Sequence, residues 1–90
     1  MITLVYHKKF KKITEIIINC CIIAIAEDYN NEGYDEYNKQ NFSSAINFYT
    51  EGIKVNCKDK ELNAKLYSNR ATAHLDLGKK LLVNFLKIFK

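Results

Sequence analysis

The sequence predicts an all-α fold built around a helical hairpin, and three observations support this. Small residues recur where two packed helices must approach closely, at Gly33, Ala45, Gly52 and Ala71. Large side chains fill the spaces between them, namely Tyr29, Tyr37, Phe42, Tyr49, Ile53 and Tyr67. The chain has no proline, and 48% of its 90 residues are hydrophobic, which suits a single small globular domain. The small-residue register predicts about one and a half helix–turn–helix units of about 34 residues each.

The first half of the chain predicts a helix from about Phe10 to Ile25, which can continue into the first helix of the hairpin at 27–39. The acidic residues of this second stretch favour the positive end of a helix dipole rather than acid–base chemistry. They are Glu27, Asp28, Glu32, Asp35 and Glu36. Gln40 and Asn41 are then expected to form the turn of the hairpin.

The second hairpin helix is predicted at 42–55, with Ser43 and Ser44 near its N-terminal cap. Its buried face follows the i, i+3, i+4, i+7, i+8 spacing of an amphipathic helix. That face comprises Ala45, Phe48, Tyr49, Gly52 and Ile53. We expect Gly33 of the preceding helix to face Ala45 across the hairpin.

A loop at 57–60 and a third helix at 61–77 follow, with Ala71 as the small residue of that helix. Gly78 is expected to end the helix as a left-handed C-terminal glycine. The last twelve residues, 79–90, predict a short amphipathic helix with Leu81, Leu82, Phe85, Leu86 and Phe89 on one face. Val83 and Lys87 stand where the repeat pattern wants a small residue and an aromatic one, so this tail is either a substitute cap or sequence from outside the original reading frame.

The net charge of +4 is divided unevenly, which separates three segments. Residues 1–26 carry four lysines and one glutamate, residues 27–78 six basic and nine acidic groups, and residues 79–90 four lysines. The repeat region is therefore acidic and both flanks are basic. Nucleic-acid binding requires basic residues along one face of a folded unit, so nucleic acid is not an expected partner.

No set of residues predicts an enzyme, a cofactor or a metal site. Cys20, Cys21 and Cys57 show no zinc-ligand spacing, and the two histidines, His7 and His74, lie far apart. The adjacent cysteines are interpreted as small core residues in a reducing compartment. Nothing in the sequence combines a nucleophile with a base, or a glycine-rich loop with phosphate binding.

The first 26 residues have an alternative interpretation as a secretory leader. Lysines at 8, 9, 11 and 12 precede an apolar run that ends in Ala24-Ile25-Ala26, the small-x-small form of a cleavage site. Export would expose the Asn41-Phe42-Ser43 glycosylation sequon. The run is too short to span a bilayer, which requires about 20 apolar residues. A membrane role is therefore not the expected one.

From Ala26 to Gly78 the residues resemble the tetratricopeptide repeat region of the Cns-type co-chaperone family, which includes tetratricopeptide repeat protein 4. The most specific segments are Tyr49-Thr50-Glu51-Gly52-Ile53-Lys54 and Leu66-Tyr67-Ser68-Asn69-Arg70-Ala71. The resemblance implies an adaptor in the cytoplasm, or in the nucleus, that binds heat shock protein 90 or 70. In that family a groove clamps the chaperone's C-terminal Glu-Glu-Val-Asp tail.

The clamp is only partly present in this sequence. The family's first-helix Lys and Asn fall at Asn30 and Tyr34, the third-helix Asn is matched by Asn69, and the sequence ends before a fifth helix with its Lys and Arg. A carboxylate needs cations or several donors to offset its desolvation. The resemblance therefore implies a truncated adaptor whose tail binding is weak or lost. The alternative is a small helical unit that self-associates or lies on a membrane surface and has no groove ligand.

Overall fold

The computed structural model describes residues 2–88, with side chains described from residue 8 onward. The described chain forms three α-helices and no strand: α1 spans Ile2–Asn38, α2 spans Phe42–Val55 and α3 spans Lys60–Ile88. The all-α class predicted from the sequence is confirmed. The position of Phe89 in the predicted tail helix lies outside the described residues.

Helix α1 runs without interruption through the isoleucine-rich and acidic segments, which the sequence left open as one helix or two. It ends at Asn38, and Gln40 adopts a left-handed conformation with φ 64°. The backbone N–H of Asn41 donates to the carbonyl of Glu36 at 2.9 Å, which closes the turn. This turn reverses the chain so that α2 packs against the C-terminal half of α1.

The core lies where α2 contacts both other helices. Tyr49 and Leu66 are the largest fully buried side chains. A Cβ added to Gly33 would lie 2.5 Å from Cε1 of Tyr49, and one added to Gly52 would lie 2.7 Å from Cδ2 of Leu66. Both glycines therefore let a large side chain approach the backbone. The three atoms closest to a Cβ at Gly33 all belong to Tyr49, so Tyr49, rather than the expected Ala45, is its immediate neighbour.

The start of α2 differs from the predicted serine cap. The N-cap residue is Asn41, whose carbonyl accepts from the N–H of Ala45 at 3.0 Å, so the helix begins at Phe42. The side chain of Asn41 forms no cap bond and donates instead to Glu36 at 2.8 Å. Ser43 and Ser44 therefore lie within the first turn, where both are exposed.

Helix α3 begins one residue earlier than predicted, at Lys60, because Asp59 caps it. The Asp59 carboxylate accepts a hydrogen bond from the N–H of Leu62 at 3.1 Å. The Asn63 side chain donates to the carbonyl of Cys57 at 2.8 Å and fixes the preceding loop. The N-terminal end of α3 is therefore held by side chains on both sides of the loop.

Gly78 does not end α3, contrary to the sequence-based expectation. The helix continues to Ile88, and no glycine in the described chain has a positive φ. The Nζ of Lys80 donates to the carbonyl of Gln40 at 3.2 Å and lies 5.8 Å from the centre of the Phe42 ring. These contacts hold α3 straight against the α1–α2 turn beyond Gly78.

Ala71 also departs from its expected position at a close helix contact. It is exposed, while Ala73, two residues further along α3, is buried. The reason is that residues 79–88 continue straight and do not fold back as a second helix over the face that carries Ala71.

The molecule is a rod with principal extents of 80 × 17 × 14 Å. Residues 2–21 of α1, here called the N-terminal arm, extend beyond the end of α2. Residues 79–88 of α3, here called the C-terminal arm, extend beyond the α1–α2 turn at the opposite end. Among the described residues, no helix is both long and apolar enough to cross a bilayer.

Candidate functional site

Helices α1 and α3 both pack on α2 and leave a shallow groove between them. Helical spacing of i, i+4, i+7 on α1 and i, i+3, i+7 on α3 brings six side chains to this groove. They are Asn30, Tyr34 and Tyr37 on α1, and Asn69, Thr72 and Asp76 on α3. We refer to these six residues as the groove.

Two side-chain hydrogen bonds cross the groove. The amide of Asn69 donates to the Oδ1 of Asn30 at 3.0 Å. About two helical turns further along, the hydroxyl of Tyr37 donates to the Oδ2 of Asp76. The structure thus brings together two of the three predicted clamp-equivalent residues, and they bind each other.

The third such residue, Tyr34, lies beside a small open cavity of about 190 Å³. The cavity is lined by Tyr34, Tyr37, Tyr49, Asn69 and Thr72. Tyr49 is buried to 1% exposure, whereas Tyr34 is 55% exposed. The predicted positions Tyr34 and Asn69 therefore share one cavity, which has aromatic and neutral polar walls and no cationic side chain.

Asp76 is the charged residue of the groove. The ion pairs within the described chain, Lys39–Glu36 and Lys54–Glu51, do not involve it. Lys79 and Lys80 line a neighbouring hollow with Asp76, but Lys80 is bonded to the α1–α2 turn. The groove is thus neutral to acidic.

Two tyrosines at this site have altered acidity. The hydrogen bond to Asp76 raises the pKa of Tyr37 above its ordinary value, and burial and the nearby carboxylate act in the same direction. Burial raises the pKa of Tyr49. Both phenols are therefore held in their neutral, hydrogen-donating form.

Sequence reasoning missed half of the groove: Tyr37, Thr72 and Asp76. A signal for Tyr37 and Asp76 was present in the sequence, because Tyr37 lies seven residues after Asn30 and Asp76 lies seven residues after Asn69. Counting two helical turns from each predicted position would have placed both residues on the same face.

The cysteines do not occupy the positions expected of them. Cys57 is buried, but Cys20 and Cys21 are exposed, contrary to their interpretation as core residues. Both lie on the N-terminal arm, where α1 has passed beyond α2 and has no neighbouring helix to bury them. Among the side chains of residues 8–88, no cluster of three or more His, Cys, Asp or Glu has the proximity that a metal ion requires.

Comparison with curated proteins finds several proteins that are similar to part of this chain. The chain is 45% identical over 53 residues to tetratricopeptide repeat protein 4 of Homo sapiens, a match that covers 59% of this chain and 14% of the human protein. It is 40% identical over 53 residues to the Hsp70/Hsp90 co-chaperone CNS1 of Saccharomyces cerevisiae, again over 59% of this chain. A DnaJ homolog subfamily C member 7 homolog of Schizosaccharomyces pombe is 39% identical over 51 residues, a match that covers 11% of that protein.

No protein-family model and no solved structure matches the chain. The predicted resemblance to tetratricopeptide repeat protein 4 and the Cns-type co-chaperones is confirmed over 59% of this chain. The matched region spans only 14% of the length of the human relative. Together with the three helices, this similarity fits an all-α fold of the helical-repeat kind.

Proposed function

We propose that this chain is a tetratricopeptide-type adaptor that binds a peptide segment of a partner protein and catalyses no reaction. The observation that carries the proposal is the groove between α1 and α3, which contains Asn30, Tyr34 and Asn69. We propose these three residues as the equivalents of the family's clamp residues. The similarity to a yeast Hsp70/Hsp90 co-chaperone supports heat shock protein 90 or 70 as the partner. A cytoplasmic or nuclear location would follow from such a partner.

We further propose that residues 27–78 form the repeat region and that its clamp for an acidic tail is degenerate. The donor of Asn69 is already bonded to Asn30 at 3.0 Å, so a bound carboxylate would replace one hydrogen bond with another. Asn30 carries no charge, and Tyr34 offers a phenol in place of the family's amide. Asp76, across the groove, adds a repulsive charge.

The expected loss of affinity follows from the missing charge. Hydrogen bonds to charged groups contribute about 1.5–3 kcal/mol each, whereas neutral ones contribute about 0.5–1.5 kcal/mol. A complete clamp that lost two charge-assisted hydrogen bonds to the carboxylates of the peptide would bind that peptide roughly 10²- to 10⁴-fold more weakly. This chain should therefore bind a Glu-Glu-Val-Asp peptide far more weakly than a complete clamp does.

The test is a titration of a labelled peptide ending in Glu-Glu-Val-Asp against the wild-type chain and the double variant Asn30→Lys/Tyr34→Asn. The double variant restores both family residues of α1, so its affinity should rise at least tenfold above the wild-type value. Asn31→Lys is the matched control, since it adds the same charge at the adjacent exposed position. The same peptide with an amidated C-terminus controls for the terminal carboxylate.

Low-micromolar binding by the wild-type chain would contradict the degenerate clamp. Equal affinities for the Asn31→Lys control and the double variant would show that bulk charge, not the groove, controls binding. A helical unit without a groove ligand is the second candidate function, because large apolar side chains are exposed on both arms. It would be favoured if neither chain bound any peptide.

A further inference from the structure

Helix α3 has a largely apolar stripe, interrupted by the exposed His74, on the face turned away from the groove. Its residues follow spacings of three and four along the helix, so they lie on one side. This outer stripe consists of Tyr67, Ala71, Leu75, Gly78, Leu81, Leu82 and Phe85, all of them exposed. The groove residues Asn69 and Asp76 lie on the opposite side of the same helix.

The stripe is large for so small a chain. Leu75 is 61% exposed, and Leu81 and Leu82 are each 58% exposed. Tyr67 and Phe85 are half-exposed aromatic residues, and such side chains have a total area of about 150–250 Å² each. Together with the leucines, they give the stripe an exposed surface on the order of 500–700 Å². A stable protein–protein interface takes about 800 Å² from each partner, so the stripe supplies most of one side.

We propose that the occupant of this stripe is the same stripe on a second copy of the chain, with the two α3 helices antiparallel and a two-fold axis at Gly78. Under that symmetry the residue numbers of facing positions add to about 156. Leu75 then faces Leu81, Ala71 faces Phe85, and Gly78 faces its own equivalent. Phe85 therefore packs on the small Ala71, Leu75 packs on Leu81, and the two helices approach most closely at their glycines.

The surroundings of Gly78 fit a close contact with another molecule. No atom of this chain lies within 4 Å of a Cβ added there, in contrast to the buried glycines at 33 and 52. Glycine in a helix interior is unfavourable by about 1 kcal/mol relative to alanine. Packing within one copy does not account for its use at this position.

Sedimentation equilibrium of the full chain tests the proposal through Gly78→Leu. The substitution causes no clash within one copy and favours the helix, yet it places two leucine side chains at the two-fold axis. The dimer dissociation constant should rise by about tenfold or more. Because the variant is also more apolar, weaker association would not be explained by lost hydrophobicity.

A matched pair in the C-terminal arm identifies the face. Leu82→Glu should abolish the dimer, while Val83→Glu, which changes an exposed residue on the other side of the arm, should leave it unchanged. In a Cys20→Ser/Cys21→Ser background, Gly78→Cys should give a disulfide-linked dimer on mild oxidation, and Val83→Cys should not.

Three outcomes would overturn the proposal. The first is a wild-type chain that stays monomeric at about 100 μM, which corresponds to an association free energy weaker than about −5.5 kcal/mol. The second is a dimer that Gly78→Leu and Leu82→Glu leave intact, which would place the interface elsewhere, as on the N-terminal arm. The third is a monomer that co-sediments with anionic phospholipid vesicles and loses this property with Leu82→Glu, which would assign the stripe to a lipid surface.

Discussion

The hydroxyl of Tyr37 on α1 donates a hydrogen bond to the carboxylate of Asp76 on α3. These helices have few other direct contacts, because each packs mainly on α2. The bond between Asn69 and Asn30 is the second link across the same gap. The relative position of the two groove walls thus depends on a small number of polar contacts.

Removing the first of these links should lower stability moderately. Tyr37→Phe keeps the ring, which packs edge-on against Phe42 with centroids 5.3 Å apart, and deletes only the hydroxyl. We expect the free energy of unfolding in urea to fall, because the hydrogen bond that links α1 to α3 is lost. Tyr67→Phe, at an exposed tyrosine of α3, is the control and should have little effect. A double-mutant cycle with Asp76→Ala should show coupling, and additive effects would argue against the bond.

Stability should also fall at alkaline pH through the same tyrosine. The pKa of Tyr37 is raised in the folded chain, chiefly by its hydrogen bond to Asp76, so the folded state holds the proton more tightly than the unfolded state does. This contribution is complete below the unfolded pKa of about 10 and is lost as the pH rises through the folded value. Unfolding free energies measured from pH 8 upward should therefore decrease more steeply for the wild type than for Tyr37→Phe. Parallel curves would contradict the assignment.

Gly33 and Gly78 should respond differently to the same substitution. Gly33→Ala places a methyl group 2.5 Å from the buried Tyr49 ring, and this overpacking should outweigh the gain in helix propensity, with a net loss of about 1–2 kcal/mol. Gly78→Ala meets no atom within 4 Å and should stabilise the chain by about 1 kcal/mol. Thermal unfolding at a low concentration, where the chain is a monomer, compares the two. A stabilised Gly33→Ala variant would show that Tyr49 does not pack there.

The observed cap of α3, Asp59, and the predicted cap of α2, Ser43, can be compared in one experiment. Asp59→Ala removes the acceptor for the N–H of Leu62 and should destabilise α3 by about 1 kcal/mol. Ser43→Ala removes a side chain that lies inside the first turn of α2, and its effect should be near zero. Circular dichroism in denaturant measures both. A larger effect at Ser43 would restore the serine cap that the sequence suggested.

Sequence periodicity predicted the helices of the hairpin well, because the face of a helix is defined by residues that are close together in the sequence. The spacing of Ala45, Tyr49 and Gly52 defines one face of α2, and the structure buries all three residues. The resemblance to a co-chaperone family rests on contiguous segments, and comparison with curated proteins confirms it. The positions of Asn30 and Asn69 followed from that resemblance alone.

What could not be predicted depends on contacts between distant residues. Gly78 has the residue type of a helix end, but Lys80 binds the carbonyl of Gln40, and nothing near residue 78 in the sequence reports that contact. The exposure of Cys20 depends on where α2 ends rather than on its own apolar neighbours. The link from Tyr37 to Asp76 joins residues 39 positions apart, beyond the range of any helical periodicity.

The rod shape governs how this chain moves in solution. Its radius of gyration is 19.6 Å, whereas a compact chain of this length would have about 12 Å. Such a molecule rotates quickly about its long axis and slowly end over end, and the backbone N–H bonds of its helices lie close to that long axis. Nearly all of its amide ¹⁵N nuclei should therefore report the slow tumbling component, so transverse relaxation rates would be uniformly higher than the chain's mass implies. Gel filtration, which senses hydrodynamic radius, would similarly overestimate the mass of a single copy.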